Sequence, residues 1–261
     1  MVPPLKRAME EVCRGALSID GWVRKEELQF LFQAAALPTT QGEVLEIGSF
    51  RGRSAVVLAK AAKMAGQDRV FACDPFPPRP AADPSAEDTT YDDFIATLRD
   101  HKVTENVEVH RIASSELARI WDRPIRLLWI DGDHTYAGVK GDVDGFLSHL
   151  APGAIIALHD VDHPDWPACG MCFLEDVLLS DRFGMCGICH SIGWAQFVGA
   201  DGRRDHKQIK MTTYQLLGAR RLRKILRVKL PVFTRWRERR FRKGSTFQEW
   251  ISSTQASKAE R

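Results

Sequence analysis

Val44-Leu45-Glu46-Ile47-Gly48-Ser49-Phe50-Arg51-Gly52-Arg53-Ser54 opens the part of the sequence that decides the fold. A short, largely apolar strand runs into a glycine, and a second glycine follows four residues later. Residues 54–65 are Ala-rich and read as a helix that Gly66 stops. Residues 69–74 read as the next strand. The alternation continues downstream with a helix over 92–101, a strand over 107–112 and a mostly apolar strand over 125–130. A helix over 139–150, a strand over 154–158 and a helix over 173–179 follow. Extended runs near 183–188 and 192–198 finish the series. Strand and helix in strict alternation predict an α/β fold. It is a doubly wound, mostly parallel seven-stranded sheet with helices on both faces. Upstream, residues 5–36 read as helical, with Pro38 closing the segment. Residues 75–90, rich in Pro, Asp and Ala, read as a loop.

The composition fits this reading. The chain has 261 residues, 44% hydrophobic and 27% charged, which suits a globular protein with one full core. No stretch approaches the ~18 uninterrupted apolar residues of a membrane span. The first 15 residues carry Lys6, Arg7, Glu10 and Glu11 and so lack the apolar core of a signal peptide. These features predict a cytoplasmic protein whose six cysteines are reduced thiols or metal ligands. The net charge of +3 is unevenly spread. Residues 203–243 carry 16 Lys/Arg against Asp205 and Glu238, a net +14, which leaves −11 for the rest.

Folds of this type bind ligands beyond the carboxyl ends of the strands. The tips therefore hold the candidate residues. Gly48 and Gly52 permit a tight turn and close approach of a ligand, and the helix N-terminus that follows favours an anionic group. The spacing is neither the dinucleotide G-x-G-x-x-G nor a P-loop. Asp74, ending the second strand, suits ribose hydroxyls. Asp131, Asp133 and His134 lie within four residues after the fourth strand, and His159-Asp160 follows the fifth. Adjacent parallel strands lie ~4.8 Å apart, so Asp131 and Asp160 converge. Two carboxylates sharing one site repel unless a cation or proton lies between them. Oxygen donors favour Mg²⁺ or Mn²⁺, and a His donor admits Zn²⁺ or Fe²⁺. The plain alternative is that these residues are turn and capping groups.

Together the strings Val44 to Ser54, Cys73-Asp74-Pro75, Ile130-Asp131-Gly132-Asp133-His134-Thr135-Tyr136 and Leu158-His159-Asp160 resemble class I S-adenosylmethionine-dependent methyltransferases. The resemblance is to the small-molecule, sugar-type O-methyltransferase branch and covers residues 20–200. It implies a Rossmann-like methyltransferase fold. Gly48 and Gly52 would shape the methionine pocket beside Glu46, and Ser54 would bind the methionine carboxylate. Asp74 would bind ribose, with Ser114 and Ser115 near adenine. It implies a divalent-cation site at Asp131 and at the His159-Asp160 pair, and a base at His134. The family has an acid where His159 stands, a departure at the metal. The expected organisation is a helical cap over 1–40, the S-adenosylmethionine-binding domain over 41–200 and a basic helical tail over 201–261.

Two features lie outside the resemblance. Cys169-x-x-Cys172 and Cys186-x-x-Cys189 are separated by 13 residues, a spacing close to that of a structural zinc site. On a strand, however, Cys186 and Cys189 would point to opposite faces. The tail interleaves Leu222, Ile225, Leu226 and Val228 with arginines and adds Phe233, Trp236 and Phe241. That pattern suits an anionic membrane surface, with nucleic acid as a further polyanionic partner. The expected protein is thus a metal-assisted O-methyltransferase of a small-molecule or glycan hydroxyl. It would be cytoplasmic, able to sit at the inner face of a membrane and to form a homo-oligomer. An RNA-modifying methyltransferase and a non-enzymatic zinc-containing binding module are the alternatives.

Overall fold

Each strand read from the sequence forms. The computed structural model describes residues 3–77, 90–199, 206–226 and 245–259. Among them are β1 (Glu43–Ile47), β2 (Val70–Cys73), β3 (Val107–His110), β4 (Ile125–Ile130), β5 (Leu150–Leu158), β6 (Phe183–Cys189) and β7 (Ile192–Phe197). They make one seven-stranded sheet in the order β3-β2-β1-β4-β5-β7-β6. The first five strands in that order are parallel; β7 runs antiparallel to β5 and to β6. The strand order reverses between β1 and β4, and a cleft opens above their carboxyl ends.

The period-2 alternation of side chains sorts the core into two layers. On one face Val44, Leu127, Trp129 and Ala157 pack against α1 (Pro3–Ala16), α2 (Lys25–Ala36), α3 (Arg53–Met64) and α4 (Thr90–Asp100). On the other, Leu45, Leu128, Ile130 and Ile156 pack against α5 (Ser114–Ile120), α6 (Tyr136–Leu147) and α7 (Pro167–Cys172). Every residue of β4 is buried, which explains the run of apolar residues without alternation, and the one charge, Arg126, donates to Gln67 Oε1 and the Ala35 carbonyl.

Four local readings change. Residues 5–36 form two helices. The connector between them is pinned by Arg53, whose guanidinium donates to the Ile19 and Val23 carbonyls. Residues 114–120 are helical. β5 starts at Leu150, where the expected helix had run on. Phe173–Leu178 is a π-helical continuation of α7.

The C-terminal segment is not detached from this core. Helix α8 (Lys207–Leu226) lies on the α6 face with Leu216 and Leu217 buried, and its Arg220 is ion-paired with the buried Asp162. Helix α9 (Ser245–Ala259) lies on the opposite face. There Phe247 sits 4.5 Å from the Phe30 ring and 4.9 Å from that of Trp194, and Ile251 is buried beside them. Helices α8 and α9 therefore add to both core layers. Val228, Phe233, Trp236 and Phe241 of the basic stretch lie outside the described residues. No helix among the described residues is long and apolar enough to cross a membrane.

Because Phe247 is fully enclosed, Phe247→Ala should cost ~3–5 kcal/mol in urea-induced unfolding. Truncation after Ala200 should abolish the cooperative transition. A truncated chain that keeps the full-length midpoint would show that the segment contributes nothing to the core.

Candidate functional site

The strand tips are set by backbone register. Gly48 N–H donates to the Cys73 carbonyl at 2.9 Å and Asp131 N–H to that of Ile47 at 2.8 Å. His159 N–H donates to the Ile130 carbonyl at 2.9 Å, and Asp74 N–H to that of His110 at 3.2 Å. Asp74, Gly48, Asp131 and His159 thus stand side by side across four strands. The row requires a glycine. A Cβ on Gly48 would lie 2.3 Å from the Asp131 carbonyl oxygen, and the residue has φ +83°. Gly52, with φ +86°, caps α3.

The glycine loop is held from beneath by acids. Asp74 Oδ2 accepts the N–H groups of Ser49 at 2.8 Å and Phe50 at 3.0 Å, and Oδ1 accepts that of Phe76 at 2.7 Å. Both oxygens are thereby committed to shaping the loop, with lone pairs remaining for a ligand. Glu46 is 1% exposed and sits one layer behind the loop, where its Oε2 accepts the Ser49 hydroxyl at 2.8 Å. Burial lifts its carboxyl to about 8, against the Ser54 and Ser49 hydroxyls that stabilise its charge.

At the β4 and β5 tips, Asp131, His134 and Asp160 each offer a ligand atom within 4.8 Å of the others. His134 Nε2 lies 3.4 Å from Asp160 Oδ2 and 3.9 Å from Asp131 Oδ1. Its ring stacks on Trp166 at 4.9 Å. Asp160 adopts φ +53°, a left-handed turn that Asp tolerates and that follows directly on β5. Burial opposes its charge, but His134 and His159 hold its carboxyl well below the usual range.

His159 faces the same two carboxylates from the β5 tip. Its Nδ1 lies 3.0 Å from Asp131 Oδ1 and 3.4 Å from Asp160 Oδ2, while its Nε2 faces Glu27 Oε2 at 3.4 Å. Both ring nitrogens thus face carboxylates. Burial disfavours the imidazolium, yet Asp131, Asp160 and Glu27 raise the pKa well above the ordinary histidine value. His134 and His159 thus both lie against the Asp131 and Asp160 oxygens.

Other residues sort themselves. Asp133 accepts the N–H and hydroxyl of Thr135, the residue that caps α6, rather than joining the triad. Ser114 and Ser115 begin α5 and line the cleft, and Ser114 bonds to Asp142, a buried carboxyl that burial raises to about 6. The four cysteines do not meet: Cys169, Cys172 and Cys186 belong to one core layer and Cys189 to the other. Among the described residues they form no group able to share an ion, which corrects the zinc expectation. Burial raises all four thiols, Cys186 to about 11 and Cys169 to about 12.

All these tips open into one cavity of about 1340 Å³. Sequence reasoning missed several of its walls. Trp22, Arg24 and Glu27 enter from the N-terminal cap, Trp166 from the loop after β5, Ser191 from the β6–β7 turn and Arg220 from α8. A local signal existed for Glu27 alone. It stands three residues after Arg24, whose N–H it accepts at 2.7 Å as in a capping box.

Glu46 provides a pH test. Its folded pKa of about 8 exceeds the ordinary 4.5, so its contribution to stability is full below pH 4.5 and is lost as pH rises through 8. The ligand-free protein should lose roughly 1.4 kcal/mol per pH unit within that window from this group. Glu46→Gln should flatten the loss, as read by thermal unfolding at pH 5 and pH 8. Parallel curves for the two proteins would refute the shift.

Comparison with known proteins bears on the same residues. A family model described as a methyltransferase domain matches residues 45–161. The O-methyltransferase NovP aligns with a TM-score of 0.57 at 12% identity, over 74% of this chain and 97% of that one. SAH-bound PaMTH1, a methyltransferase of Podospora anserina, aligns at 0.55 and 15% identity, over 74% and 88%. Cofactor-bound Rv0187 from MTB aligns at 0.53 and 18% identity, over 75% and 90%. At these identities the structures show a shared fold. Over residues 45–161 the chain thus matches the methyltransferase-domain model, and its sheet has the fold of these methyltransferases.

Proposed function

We propose that this enzyme methylates a hydroxyl of a small molecule or glycan, assisted by a divalent cation at Asp131 and Asp160. The observation that carries the reading is the convergence of Asp131, His134 and Asp160 in the wall of the cofactor cleft. The donor set fits such an ion. Two converging carboxylates are oxygen donors of the kind that suit Mg²⁺ or Mn²⁺. When bound there, the cation supplies Lewis acidity that lowers the pKa of an acceptor hydroxyl.

The remaining chemistry belongs to the chain. Gly48 and Ser49 shape the pocket for the methionine end of S-adenosylmethionine, with Glu46, Gly52 and Ser54 supporting it. Asp74 receives the ribose, and Ser114 and Ser115 flank the adenine. His134 takes the hydroxyl proton on Nε2. The acceptor oxygen then attacks the sulfonium methyl in line with the departing sulfur, and alignment of the three atoms supplies most of the acceleration. A second reading, His134 as third ligand, is favoured by its place within the 4.8 Å group.

An RNA substrate fits the cavity less well. Eight carboxylates line it against Arg24, Arg51, Arg53 and Arg220, and that excess of acids disfavours a phosphate backbone. The basic stretch over 203–243 supports an anionic membrane surface as the place where the acceptor is presented.

The test uses purified protein, labelled S-adenosylmethionine and two vicinal diols as probe acceptors, catechol and a free hexose. Calorimetry should show one cofactor site. Methyl transfer should stop in excess chelator and return with Mg²⁺ or Mn²⁺. Asp131→Asn should abolish Mn²⁺ binding and lower turnover at least 100-fold, with cofactor affinity changed only a few-fold. His134→Asn separates the two roles: a base leaves Mn²⁺ affinity intact, and a ligand lowers it. Full turnover in chelator would refute metal assistance.

A further inference from the structure

We infer that Glu27 is a positioning residue of the catalytic centre, acting through His159 on the carboxylates Asp131 and Asp160. The inference rests on the metal-assisted reading and deepens it. Glu27 belongs to α2, outside the matched methyltransferase domain, and nothing in that domain supplies its function. It is 1% exposed, at the floor of the cleft. A carboxylate so buried is costly unless every lone pair is used.

The use is specific. Oε1 accepts the Ser191 N–H at 3.0 Å and the Ser191 hydroxyl at 2.6 Å. Oε2 accepts the Arg24 N–H at 2.7 Å and faces His159 Nε2 at 3.4 Å. Glu27 thus binds its own helix start, the β6–β7 turn and the β5 tip in one place. These fixed partners leave the His159 ring one orientation, edge-on to Trp129 at 5.5 Å, with Nδ1 against Asp131 Oδ1. Asp131 Oδ1 and Asp160 Oδ2 are the oxygens nearest both His134 and His159. Whatever turns His159 therefore turns the oxygens that an ion would meet.

Glutamine cannot replace Glu27. Both carboxylate oxygens face donors, so an amide must present its NH₂ to one of them. In either orientation the negative charge that His159 Nε2 faces is lost. Ser191→Ala, in contrast, removes one hydroxyl and leaves the backbone donor and the His159 contact.

The probe is Mn²⁺ alone, titrated into the full chain and read by electron paramagnetic resonance of the free ion, with thermal unfolding measured in parallel. Glu27→Gln should weaken Mn²⁺ binding about 10-fold, the effect expected when an orienting partner of a ligand is lost. Ser191→Ala should lower the melting temperature while keeping Mn²⁺ affinity. In a His159→Gln background, Glu27→Gln should have no further effect on Mn²⁺, since the element it acts through is gone. If Glu27→Gln does not fold, Glu27→Asp, whose carboxylate is withdrawn by one methylene, should weaken Mn²⁺ in the same direction. A folded Glu27→Gln with wild-type Mn²⁺ affinity would overturn this inference alone, as would an equal effect with and without His159. A wild-type chain that takes up no Mn²⁺ would overturn the metal-assisted reading and this inference with it.

Discussion

The contact between the Gly48 backbone and the Asp131 carbonyl governs the rest of the structure. With no Cβ at residue 48, the tips of β1 and β4 close to a separation that any other residue would fill. They do so where the strand order reverses, the place where a doubly wound sheet opens its cleft. The loop from Gly48 to Gly52 forms one wall and the residues from Asp131 to His134 form the next. A cofactor on the first is in reach of a catalytic group on the second. Moving either tip by one residue would turn Asp131 to the other face of the sheet.

The cleft is strongly acidic, and its buried charges are arranged in alternation. Glu27 faces His159, which faces Asp131 and Asp160; Asp162 faces Arg220. Isolated carboxylates at such depth would take up protons, as Glu46 does when burial raises its pKa to about 8. Glu27, with four donors around it, is held down at about 2 although burial pushes the other way. The contrast between these two glutamates comes from their donors, since both are almost wholly enclosed. An acidic cleft also suits a sulfonium cofactor and a divalent cation, both of which carry positive charge into it.

Segments on either side of the methyltransferase domain complete the site. The N-terminal cap brings Trp22, whose ring lies 4.8 Å from that of Phe50 at the cleft mouth, and it brings Glu27 to the floor. The C-terminal segment brings Arg220 and closes both core layers with Leu217 and Phe247. The matched region provides the parallel strands and their tips, and the flanking segments provide β6, β7 and much of the wall that an acceptor would touch.

The sheet and its tips could be read in the sequence because their causes are local. An apolar run, a glycine and a polar tip recur at every strand, and period-2 burial follows from chain geometry. Gly48, Asp74, Asp131, His134 and Asp160 were legible for that reason. Glu27 and Arg220 were not: one looks like a helix-start residue and the other like part of a basic stripe. Only packing brings them beside residues 132 and 58 positions away, His159 and Asp162. The cysteine pairs show the converse limit. Their spacing suggested zinc, but the pleat of β6 sends Cys186 and Cys189 into opposite core layers. Sequence order determined which residues reach the cleft floor through strand ends. The charge balance around them was decided by elements distant in sequence, because a buried charge is stabilised only by the groups that packing places against it.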